Sequence, residues 1–92
     1  MFPAFSQTYQ ELSERAVAAT EQDSLSLAEK YIEQALKMEP ANPHNALLFS
    51  NLGTIQRWQH RYEQALDSYT LALNIAPRAI PALMNRAALY LE

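Results

Sequence analysis

Self-similarity at a period of a few tens of residues restricts a chain to architectures built from one supersecondary unit that stacks on its copies. This chain repeats itself at two offsets. Ala28, Ala35, Leu36 and Pro40 return as Ala65, Ala72, Leu73 and Pro77, each 37 residues later, and Asn51, Gly53 and Gln56 fall on Asn85, Ala87 and Tyr90, each 34 later. The three-residue excess of the first offset lies between Pro40 and Ala46, where Pro-Ala-Asn-Pro-His-Asn is longer than the junction that runs from Pro77 through Arg78 and Ala79 to Ile80. Asn42 is a good helix N-cap and Pro43 suits a first helical position, so the insertion is expected to add about one turn to the helix that follows.

The punctuation between Phe49 and Pro77 is the most specific part. It reads Phe49-x-x-Leu52-Gly53-x-x-Gln56, then Ala65-x-x-x-Tyr69, then Pro77, with Tyr62 just ahead of the alanine. An aromatic, Leu-Gly, Tyr, Ala, an aromatic and Pro at these spacings mark the tetratricopeptide repeat, and only Gln56, standing at the Tyr place, departs. The segment therefore resembles a tetratricopeptide repeat. The resemblance covers the chain from about residue 9 onward, with Leu12, Ala16, Leu25, Ala28 and Ile32 at the equivalent places of a more degenerate first unit. It implies an all-α fold, a right-handed α-α superhelix of about two and a half helix-turn-helix repeats and five helices. One domain spans 1–92: repeat one at about 9–42, the insertion at 43–45, repeat two at about 46–79 and the first helix of an incomplete repeat three at 80–92.

Composition agrees with packed helices. Half of the residues are hydrophobic, and there is one Gly among 92 residues and no Cys, so no disulfide or thiolate metal site supports the fold. The expected helices run from about Gln7 to Thr20, Leu25 to Met38, Pro43 to Gln59, Tyr62 to Ile75 and Ala79 to the end. Thr8-x-x-Glu11 reads as a capping box for the first and Ser24 as the cap of the second. Pro40 and Pro77 end the second and fourth, because proline cannot donate to the ladder. Gly53 and Ala65 are small enough for close helix approach. His60 stands where the family usually ends the first helix of a repeat with Gly, so a left-handed backbone is expected there.

Several function classes are disfavoured. A net charge of −3 with seven scattered cations does not make a phosphate-binding surface; no nucleic-acid partner is expected. The first residues lack a basic stretch followed by an apolar run, and no apolar segment is long enough to span a bilayer, so a cytoplasmic location without membrane contact is expected. His44 and His60 lie at opposite ends of one helix, 16 residues or about 24 Å apart by helical rise, too far to share a metal. Glu29 and Glu33 sit among Lys30 and Lys37 as a solvated face. With no nucleophile elbow and no Gly-rich loop, no enzyme activity, metal or cofactor is expected.

What remains is a surface for partners. In the family the first helix of each repeat lines the concave face. On the third expected helix, Leu47, Asn51, Thr54 and Trp58 share one face, with Ser50 and Arg57 beside it, opposite Leu52, Ile55 and Gln56. On the fifth, Pro81, Met84, Asn85 and Ala88 match it; on the first, Ser13, Val17 and Thr20 do. Asn51 and Asn85 stand 34 residues apart at one repeat position, and the resemblance implies that such an amide grips the backbone of a bound peptide. The competing account has these amides satisfy nearby backbone. Trp58 beside Arg57 has the composition of an interface anchor, or Trp58 packs over the end of its own repeat beside Tyr62. Met84 is an adaptable contact or a packing residue. Some tetratricopeptide proteins clamp a terminal carboxylate with two Lys, two Asn and an Arg. Here Ser13, Val17, Pro81 and Asn85 stand in the outer clamp places and Arg86 is one place off, so no carboxylate-clamp chaperone adaptor is expected.

The fifth expected helix is apolar nearly all round. Two accounts of that face stay open. Either a following helix of a longer protein covers it, or two copies pair as a homodimer through Ile80, Leu83, Ala87, Tyr90 and Leu91. The leading function is a protein-interaction scaffold holding a peptide or helix of a partner in its groove. The alternative is a structural or assembly element.

Overall fold

The computed structural model describes residues 8–78 and Arg86. The described residues form four helices and no strand: α1 (Tyr9–Glu21), α2 (Leu25–Met38), α3 (Asn45–Trp58) and α4 (Tyr62–Ile75). The expected fifth helix lies outside them, as do Met84, Asn85, Ile80, Leu83, Ala87, Tyr90 and Leu91. The chain divides into two compact units, Met1–Pro40 and Ala41–Glu92, the first holding the α1 and α2 pair and the second the α3 and α4 pair.

In the first unit, Thr8 caps α1 by accepting from the Glu11 backbone N–H at 3.1 Å. The helix ends in a Schellman motif: the Asp23 N–H donates to the Thr20 carbonyl and the Ser24 N–H to the Ala19 carbonyl, at 3.1 and 2.8 Å. That motif needs a left-handed residue between helices, and Asp23 supplies it at φ 59°. Ser24 opens α2 without a side-chain cap hydrogen bond. Glu39 then turns extended at φ −136°, ψ 74°, the conformation that the ring of the following Pro40 imposes. Leu12, Ala16, Ala19, Ala28, Ile32 and Ala35 form the buried core of this pair. Burial pushes the Tyr9 phenol above its ordinary pKa of 10.0, and the Glu39 carboxylate adds to the shift.

The second unit reproduces the Schellman ending and the extended residue before proline at the 37-residue offset seen in the sequence. The His60 N–H donates to the Arg57 carbonyl and the Arg61 N–H to the Gln56 carbonyl, at 3.0 and 2.8 Å. His60 is left-handed at φ 62°, as its position at the helix end predicts. Ala76, before Pro77, is extended at φ −133°, ψ 86°. The start of α3 differs from the expectation of Asn42 and Pro43 as cap and first helical residue. Asn42 does cap, but a preliminary turn: its side-chain oxygen accepts from the His44 N–H at 2.8 Å and its carbonyl from the Asn45 N–H at 2.9 Å. The continuous helix begins three residues later, at Asn45, so the insertion makes a tight turn ahead of the helix.

Contact between α3 and α4 rests on the absence of one side chain. A Cβ at Gly53 would lie 2.6 Å from Cε1 and 2.7 Å from Cδ1 of Tyr69, inside any normal carbon contact. The fully buried Tyr69 ring thus lies on bare helix backbone. In the first unit the same two places hold Ala16 and Ile32, both buried. The methyl that Ala16 adds is matched by the smaller side chain opposite. Phe49 packs on Ala72 and Leu73 farther along.

Candidate partner-binding face

The α3 helix turns one stripe to α4 and leaves another uncovered. Phe49, Gly53 and Gln56 meet α4, through Ala72 and Leu73, through Tyr69 and through Ser68 respectively. Two polar contacts fix this pairing. The Ser68 hydroxyl donates to Gln56 Oε1 at 2.6 Å, with both residues buried. The Thr54 and Tyr69 hydroxyls share a 2.9 Å hydrogen bond, and Thr54 also donates to the Ser50 carbonyl at 3.2 Å. Gln56 therefore does not merely replace the expected tyrosine; its amide takes a partner on the facing helix.

Leu47, Asn51 and Trp58 form the uncovered stripe, with Thr54, whose hydroxyl meets Tyr69 of α4, at its inner edge. Leu47 is 47% and Trp58 52% exposed, while Asn51, Thr54 and Arg57 are half-buried. Ser50 is buried. Trp58 sits in the last turn of α3, after Arg57, the basic residue of that turn. Arg57 complements the carbonyl end of the helix there. Tyr62 takes another ring as its neighbour: its hydroxyl and His60 Nδ1 are 2.8 Å apart, and the two rings meet edge to face at 5.8 Å. Arg61 donates from Nε to Gln64 and from Nη1 to Gln59, the second at 2.9 Å. His60, Arg61, Tyr62, Glu63 and Gln64 line an open hollow of about 310 Å3. Because one continuous segment makes the hollow, it is a feature of the turn.

On α1 the 37-residue offset puts Gln10, Glu14, Val17 and Glu21 at the places of this stripe, all exposed, while the residues expected on the α1 face differ among themselves. Ser13 is buried and donates to the Tyr9 carbonyl at 3.1 Å, Thr20 donates to the Ala16 carbonyl at 2.8 Å, and Val17 is exposed. Of the residues that the sequence places on the partner face, the structure brings together those of α3 alone; Met84 and Asn85 lie outside the described residues. Asp23 escapes sequence reading, although the 37-residue offset maps it onto His60. Among the described residues no group of three or more His, Cys, Asp or Glu could hold a metal ion, and no helix is long and apolar enough to cross a membrane.

No family model matches the chain, and no curated protein does. A solved structure matches strongly. It is a tetratricopeptide repeat protein from Parabacteroides merdae, 45% identical in sequence with a TM-score of 0.86 over 92% of this chain. The chain spans 33% of the length of that protein.

Proposed function

Because this chain is a helical repeat protein of the tetratricopeptide kind, we propose that it is a protein-interaction scaffold whose α3 stripe receives a peptide or helix of a partner protein. One observation carries the reading. A tryptophan and a leucine stand half-exposed on the same stripe as a half-buried asparagine, while Phe49, Gly53 and Gln56 are engaged with α4. Large amphipathic aromatics are the usual anchors of interfaces. An amide that donates and accepts suits the backbone of an extended or helical ligand. The proposal extends the stripe to Met84 and Asn85, at the matching places of the sequence repeat. It leaves out a carboxylate clamp, since the required Lys and Arg places hold other residues. Repeat folds of this kind present surfaces, typically without catalysing a reaction.

Replacement of Asn51 or Arg57 by Ala, followed by calorimetric titration with a peptide selected on the wild-type chain, tests the face. Affinity should fall while the melting temperature holds. Unchanged affinity in both variants refutes the assignment. Assembly is the competing role, and the exposed Leu71 and Ile75, one turn apart on α4, are the observation on its side. Light scattering that returns the monomer mass at every concentration removes it.

A further inference from the structure

The two units share their turns but not their charge. Residues 1–40 carry Arg15, Lys30 and Lys37 against seven carboxylates, whereas residues 41–92 carry four Arg against Glu63, Asp67 and Glu92. The contrast concentrates around α3. From Pro40 to Tyr62 there is no Asp or Glu at all, and the charged side chains are Arg57 and Arg61. The equivalent stretch one offset earlier, residues 3–25, holds Glu11, Glu14, Glu21 and Asp23 against a single Arg15.

The fold does not require this difference. Glu14 stands at the place of Asn51 and Glu21 at the place of Trp58, and both glutamates are exposed on α1. The same helix, ended by the same Schellman motif, therefore carries carboxylates there without harm to its packing. Complementing the carbonyl end of α3 explains one cation in its last turn; it does not explain 23 residues without an acid. Arg61 hydrogen-bonds to the amide oxygens of Gln59 and Gln64 in the turn that follows α3.

We propose that the α3 face takes an acidic segment of a partner protein, its carboxylates meeting Arg57 and a large apolar side chain covering Trp58. This rests on the reading of α3 as the binding face and names the chemistry of what binds. Complementary charge steers the encounter and rejects basic segments, while burial of the tryptophan supplies most of the affinity. The acidic α1 face of the same chain, with Glu14 and Glu21, repels such a ligand and confines it to the second unit.

Trp58 is the chain's one tryptophan, so its emission reports occupancy of this face directly. The experiment selects short random peptides displayed on phage against the intact chain, then titrates the selected peptides by Trp58 fluorescence and calorimetry into wild type, Arg57→Glu, Asn51→Ala and Trp58→Ala. Selected sequences should be enriched in Asp and Glu around at least one Leu, Ile, Phe or Trp. Binding should shift Trp58 emission and weaken as salt rises from about 0.05 to about 0.5 M. Arg57→Glu should lower affinity about threefold to tenfold, the range for reversing one exposed charge. Selected peptides without an acidic excess, or affinities that Arg57→Glu leaves unchanged, overturn the acidic assignment and leave the face standing. Failure to select any peptide, or binding untouched by both Asn51→Ala and Trp58→Ala, overturns the face itself.

Discussion

Adding one methyl group at Gly53 is the sharpest test of how the second unit is held together, because two known effects oppose each other and their difference decides the sign. Gly53 lies inside α3, and glycine in a helix interior is about 1 kcal/mol worse than alanine. On propensity alone, Gly53→Ala stabilises. The structure puts the new Cβ at 2.6 Å from Tyr69 Cε1, where carbon atoms rest at about 3.5 to 4.0 Å. The ring must retreat by about 1 Å, yet Tyr69 is fully buried and its hydroxyl is tied to Thr54 at 2.9 Å. Overpacking of this kind costs about 1–3 kcal/mol, and a contact so short with an aromatic so confined belongs at the upper end. The net expectation is a loss of about 1–2 kcal/mol after the propensity gain. That lowers the melting temperature by roughly 5–15 °C in a chain of this size. Urea and thermal unfolding followed by far-ultraviolet circular dichroism measure it. A second variant isolates the cause. Tyr69→Ile alone removes the ring and should cost about 2–4 kcal/mol. Gly53→Ala with Tyr69→Ile recreates the Ala16 and Ile32 pairing of the first unit, so the double variant should be about 1–2 kcal/mol more stable than the sum of the single losses. A Gly53→Ala chain as stable as wild type or more so, or strict additivity in the cycle, refutes the close approach.

Other perturbations have equally definite outcomes. Asp23→Gly should raise stability in urea by about 0.5–1 kcal/mol, because glycine adopts the left-handed φ of 59° without a Cβ penalty; destabilisation counts against strain at that turn. Ser68→Ala leaves the buried Gln56 oxygen without its donor and should cost about 1–3 kcal/mol. Ser68→Ala with Gln56→Leu should cost less than the two changes taken separately, and a fully additive melting curve says that the pair is not coupled. The folded-state pKa of Tyr9 is raised, so its contribution is complete below pH 10.0 and is lost as pH rises through the higher folded value. Tyr9→Phe should therefore flatten the alkaline fall in stability relative to wild type, and parallel curves above that pH contradict the assignment.

Where sequence and structure agree, a single residue type dictates the backbone. The bounds of α2 and α4 coincide with those read from the chain because Pro40 and Pro77 force Glu39 and Ala76 out of the helical region. His60 is legible for a similar reason: it follows the last periodic residues and precedes a new helix. The start of α3 is less so, since an Asn-Pro pair begins a helix or a turn equally well, and only the bond from the His44 N–H to the Asn42 side chain decides between them. Side-chain fate depends on what the facing helix brings. Nothing local marks Gln56 as buried; its environment is set by Ser68, 12 residues away. Ser50 is buried as Ser13 is at the matching place of the first unit, and no local signal marks either. Trp58 and Leu47 are exposed 11 residues, or about three turns, apart on one face, a spacing that sequence periodicity shows well, so the stripe is readable while its edge is not.

The two polar contacts between α3 and α4 bear on motion as well as on stability. Gln56 to Ser68 and Thr54 to Tyr69 flank the glycine contact, and each pairs groups that no other register of the two helices brings together. Sliding one helix along the other by a turn, about 5.4 Å, would strand a buried amide and a phenol at once and would drive the tyrosine ring from Gly53 toward residues that have a Cβ. Under a pull along the helix axes the second unit therefore behaves as a latched joint, yielding by abrupt separation instead of by creep, and the outer stripe of α3 is carried on a strut whose length does not drift.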